Sequence, residues 1–104
     1  NDADMVLAGN TVRKNKGGLA FALNGQVVGE LPLLVAGLMS TESAESVEEK
    51  LQALKASLKA HGISEDIDAF MTLAFVSLPV IPKLRLNTYG IVDVDAQRIV
   101  PAVF

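Results

Sequence analysis

Few residues in this chain of 104 could do chemistry, and they are scattered. His61 is the only histidine and cysteine is absent, which removes thiol nucleophiles, thiolate metal sites and a His-x-His metal pair together. A solitary histidine just before Gly62 reads as a surface residue at a helix C-terminus, where a protonated ring meets the negative end of the macrodipole. Asp93 and Asp95 stand two apart, but no further carboxylate or Asn follows at calcium-loop spacing, so they read as part of a solvated face. Gly17, Gly18, Gly25 and Gly29 do not lead from a strand into a helix N-terminus, as a phosphate cradle requires. No catalytic, cofactor-binding or metal-binding residue is assigned.

A chain of this length makes one domain, expected to span residues 1–104, and buries roughly two-thirds of its unfolded surface. Half of the residues are hydrophobic and 20% are charged, a globular composition with apolar surface to spare for a partner. Nine basic against twelve acidic residues leave a net charge of -3, which is no electrostatic footprint for nucleic acid or an anionic membrane. The longest apolar run, 69–82, is interrupted by Pro79 and Pro82 and falls short of the ~20 residues a spanning helix needs. No basic and apolar leader is visible, and the absence of cysteine suits a reducing compartment, so a cytoplasmic location is expected.

The elements follow from local pattern. Asp2 to Asn15 reads as a helix capped by Asp2, with Arg13, Lys14 and Lys16 at its other end and Met5, Ala8 and Val12 as its apolar face. Leu19 to Leu23 alternates large and small side chains, Asn24-Gly25 tolerates positive φ at both centres of a type I′ turn, and Gln26 to Glu30 returns as the second strand of a hairpin. Leu31 to Met39 is expected to form a short helical turn or a buried loop after Pro32 ends the strand. Ser40, Thr41 and Ser43 compete to cap the clearest helix, whose stripe is Val47, Leu51, Leu54 and Leu58. Acidic residues fill its first half and lysines its second, so its electrostatic support is expected from the macrodipole rather than from ion-paired turns.

Phe70 to Leu86 is the stretch that the rest must be built around, because between Ala69 and Pro82 only Thr72 and Ser77 bring polar side chains. It demands burial against other elements or another polypeptide. Ile67, Phe70, Met71, Ala74, Phe75 and Leu78 fit a helical template, with Ser64, Glu65, Asp66 and Asp68 as an acidic first turn. Helix is favoured over a central strand, whose two faces would also be apolar. Pro79 to Pro82 is expected to run extended. Lys83–Leu86, Ile91–Val94 and Arg98–Phe104 are expected as two or three short strands, the last at an edge because Pro101 cannot donate to a ladder. The fold class is α+β: a hairpin, about three helices and a C-terminal, mainly antiparallel set of short strands packed on helices.

Three strings of this sequence resemble the C-terminal domain of bacterial adenine deaminases. They are Asn1 to Met5, Gly17-Gly18 through Glu30 to Ser40, and Phe70 to Pro82 with Leu84, Leu86, Gly90 and Ile91 to Val94, in the family's order over nearly the whole chain. Leu34 and Val35 stand where the family usually has Pro and Ile, and Ala69 stands where it usually has Pro; these changes keep the apolar character. The resemblance implies a parent enzyme of the amidohydrolase superfamily that converts adenine and water to hypoxanthine and ammonia. Its manganese or iron would sit in an N-terminal barrel and lower the pKa of bound water, so that hydroxide attacks the ring carbon bearing the amino group.

No catalytic position of the family maps onto this chain, so the expectation is a structural and assembly portion, silent alone, whose partners are the barrel and further copies of itself in a homo-oligomer. The first helix is capped at the chain's second residue, which suggests a piece of a longer domain. Ser40 and Thr41, and Pro79, Ile81 and Pro82, are the candidate interface residues, because both segments join apolar blocks to exposed turns. A free-standing ligand-binding or oligomerisation module is the alternative.

Overall fold

The structure is a computed structural model and describes residues 1–102. The described chain divides into two units, Asn1–Ser64 and a second beginning at Glu65. Three helices, one hairpin and one three-stranded antiparallel sheet realise the α+β class.

In the first unit, helix α1 (Asp2–Lys14) leads into strands β1 (Gly18–Leu23) and β2 (Gln26–Pro32), and helix α2 (Ala44–Ala60) follows. Asn24 and Gly25 have φ of 52° and 75°, the two positive values that a type I′ turn needs to match the strand twist. The strands pair antiparallel from Leu23↔Gln26 to Gly18↔Pro32, with Val28 as the extra residue of a bulge. Both helices pack on this hairpin. Leu31 and Leu54 are each only 3% exposed, and Leu58 is buried beside them. Leu54 reaches so far over β2 that a Cβ on Gly29 would stand 2.5 Å from its Cδ1. Gly18 (φ 129°) has no room for a side chain either, since a Cβ there would overlap the carbonyl oxygen of Leu31.

Several boundaries differ from the sequence reading. Asn1, not Asp2, caps α1, its side chain accepting from the Asp4 amide at 2.9 Å. Met5 points to solvent at 71% exposure, because the helix lays Asp4, Leu7, Ala8 and Val12 toward the hairpin instead. Residues 31–39 form neither a helical turn nor a buried loop. Val35 and Met39 bridge each other through both backbone bonds, Ala36 and Gly37 take φ of 55° and 73°, and Leu34, Leu38 and Met39 are exposed. Two consecutive left-handed residues make a hairpin-type turn where a helix would need negative φ. Ser43 wins the capping of α2, and an ion pair from Glu42 to Lys50 supplements the charge gradient.

In the second unit, helix α3 (Ala69–Val76) is followed by strands β3 (Leu84–Asn87), β4 (Gly90–Asp93) and β5 (Arg98–Val100), in the order β3-β4-β5. The helix reading of the apolar stretch holds, but α3 is shorter than expected because Asp68, accepting from the Met71 amide, caps it, so that Ser64, Glu65 and Asp66 precede the helix instead of forming its first turn. Pro79 to Pro82 does not run extended. The Ile81 amide donates to the Leu78 carbonyl at 3.3 Å, a turn that a proline in its second position favours. Strand β5 lies at an edge and stops before Pro101; the expected continuation through Val103 and Phe104 lies outside the described residues.

Candidate functional site

The one buried ionisable side chain among the described residues is Asp4, in the first turn of α1. Its Oδ1 accepts from the Gly25 amide at 2.7 Å, and its Oδ2 accepts from the Asn24 amide at 2.9 Å and from Asn1 Nδ2 at 2.8 Å. The Gly25 bond, with those from Asn1 and Asn24, holds its carboxyl below the usual carboxylate range against an opposing desolvation. A carboxylate engaged by three donors, two of them turn amides, is a clamp between α1 and the hairpin and not a proton donor. Its only sequence signal was the Asn1-to-Asp4 spacing, because the amides it binds come twenty residues later.

The other chemistry-bearing residues stay apart. His61 caps α2, its Nδ1 at 2.7 Å from the Ser57 carbonyl and its ring edge-on to Phe21 at 5.7 Å. Asp93 Oδ1 accepts from the Ala96 amide and so shapes the β4–β5 turn. No three His, Cys, Asp or Glu side chains among the described residues converge to hold a metal ion. This donor set does not fit the manganese or iron that the resemblance implies, and no step is derived through such an ion. Of the four glycines weighed as a cradle, Gly17 and Gly18 admit the crossing of the 31–37 segment, Gly25 turns the hairpin and Gly29 makes room for Leu54.

What remains is surface. In α3 the apolar residues face all ways: Leu73 is 66% exposed, and Met71, Phe75 and Val76 are exposed with it. Pro79 and Pro82 are exposed while Ile81 is half-buried, and Arg85 folds its guanidinium back so that Nη2 donates to the Pro82 carbonyl at 2.8 Å. Pro79 and Val80 line a cleft with Val92, Val94 and Gln97. Ser40 and Thr41 belong to the first unit, directly after the exposed Leu38 and Met39, and Ser40 Oγ accepts from the Glu42 amide. No helix is long and apolar enough to cross a membrane among the described residues.

Comparison with known proteins matches residues 1–98 to the adenine deaminase C-terminal domain. The chain is 46% identical over 101 residues to adenine deaminase 2 of Carboxydothermus hydrogenoformans, which covers 97% of this chain and 18% of the relative. It is 54% identical over 94 residues to the adenine deaminase of Kosmotoga olearia, covering 90% of this chain and 16% of the relative. The Shigella sonnei adenine deaminase is 48% identical over 92 residues, covering 88% of this chain and 16% of the relative. The chain thus spans less than a fifth of the length of these relatives.

Proposed function

Since the chain belongs to the adenine deaminase C-terminal domain family, we propose that it is the assembly portion of an enzyme that converts adenine and water to hypoxanthine and ammonia. In this reading the chemistry, with its manganese or iron, belongs to an amidohydrolase barrel elsewhere in the polypeptide, and this chain contributes neither metal ligand nor proton carrier. The carrying observation is that none of the described residues from Glu65 onward is buried, although this region holds the most apolar helix of the chain. A helix that is hydrophobic all round belongs in an interior. The interior is supplied by contact with the rest of the enzyme, through α3 and the adjoining turn at Pro79, Ile81 and Pro82. The exposed 34–39 turn, with Ser40 and Thr41, is the second contact in this proposal, and a homo-oligomer is the assembly it serves.

A free-standing binding module has less in its favour. Its glycines serve packing and turns, and the chain matches its relatives over one stretch of much longer proteins. The test is Ile81→Asp in the complete enzyme, which buries an unpaired charge if the turn is an interface. Adenine turnover or subunit assembly should fall by at least about tenfold, the factor that a contact loss of about 1.4 kcal/mol produces. Unchanged turnover and assembly in a folded variant would remove this segment from the interface.

A further inference from the structure

Asn24 is the only one of the five asparagines that precedes a glycine. An Asn-Gly step is chemically weak because no side chain on the second residue obstructs ring closure. The Gly25 nitrogen, once it has lost its proton, attacks the Asn24 side-chain carbonyl carbon. The new C–N bond closes a succinimide and ammonia leaves with the amide nitrogen. Water then opens the ring at either carbonyl, giving aspartate or the isoaspartyl linkage that carries the backbone through the side chain. Asn24 is exposed to the water that this needs.

The same nitrogen is the one the structure ties down. Its N–H donates to Asp4 Oδ1 at 2.7 Å, the shorter of the two turn bonds to that carboxylate. Deprotonating it would break a charge-assisted hydrogen bond and set a second negative charge against a buried carboxylate. Movement of the Asn24 side chain over this nitrogen is restrained as well, because Leu23↔Gln26 pairing holds the turn from both sides. We infer that Asn24 is the covalent ageing site of this domain and that the Asp4 carboxylate, by holding the Gly25 N–H, keeps it an amide. The lesion would also undo the clamp. Isoaspartate lengthens the two-residue turn, and either product places a carboxylate beside Asp4, so the clamp that protected the site opens.

The test is peptide mapping of the complete enzyme after incubation at mildly alkaline pH, scoring aspartate and isoaspartate at position 24. Asn24 should age at least about tenfold faster in Asp4→Asn than in the native protein, the factor that one charge-assisted hydrogen bond supplies. Leu54→Ala separates this from simple unfolding, since it loosens the same unit without touching the turn. At matched loss of stability it should accelerate Asn24 ageing far less than Asp4→Asn does. Equal acceleration by the two variants, or an unchanged rate in Asp4→Asn, would overturn the assignment. Fragment-resolved hydrogen exchange on the native enzyme adds a readout that needs no variant: the Gly25 amide should be protected, and exchange at the unfolded rate would contradict it.

Discussion

The unit Asn1–Ser64 and the unit that follows it spend their apolar residues in opposite ways. The first is the less hydrophobic along its sequence, yet it holds every buried residue described: Leu31, Leu54, Leu58 and the clamped Asp4. The second contains α3, with one polar residue in eight, and buries none. Segment hydrophobicity therefore does not measure burial. The first unit has two helices to lay on both strands of a hairpin and close a core between them. The second has a helix of only eight residues and strands of three or four, too little covering area for its apolar content.

The sharpest way to break that contrast is to cut the same methyl groups from each unit. Leu54→Ala should cost about 2–5 kcal/mol in urea unfolding of this chain, as truncation of a fully buried leucine does. Leu73→Ala, on exposed α3, should stay within about 0.5 kcal/mol. Comparable losses at both positions would show that α3 is buried in solution.

A smaller effect separates two kinds of glycine within the first unit. Gly18→Ala meets both an unfavourable φ and the Leu31 carbonyl, and should destabilise by about 3 kcal/mol. Gly25→Ala meets open space at φ 75° and should cost about 1–2 kcal/mol. If the order reverses, the tight crossing at Gly18 is not rigid.

The smallest effect is electrostatic and belongs to the first unit alone. Because Asp4 is held below the usual carboxylate range by the Gly25 amide and its other donors, its contribution is complete above that range. It is lost as pH falls through the lowered folded value. Urea midpoints of the native chain should therefore decline with acid more steeply than those of Asp4→Asn, which should already be lower at neutral pH. Parallel curves would mean that the clamp is not ionised in the folded state.

Legibility in the sequence follows the range of the interactions. Asn24-Gly25 between alternating strands and the stripe ending in Leu54 and Leu58 are local signals, and both elements stand where the pattern put them. The role of Asp4 is not legible locally, because its amide partners come from the hairpin turn and only the fold brings them to a carboxylate in the first helical turn. The acidic residues from Ser64 to Asp68 looked like a helical first turn, yet only Asp68 caps the helix. The prolines at 79 and 82 announce in sequence what they forbid, an α conformation before them, and not the turn that Pro79 opens. Exposure of α3 was the least legible feature, since a sequence shows that a segment needs burial but not what buries it.

Hydrogen exchange across residues 69–81, compared between this chain alone and the complete enzyme, tests most directly the claim that the second unit is completed by contact. The account predicts rapid exchange in the chain alone and strong protection in the enzyme, with the amides of β1 and β2 protected in both. Equal exchange of 69–81 in the two preparations would contradict it, and would leave α3 an exposed helix that nothing in the enzyme covers.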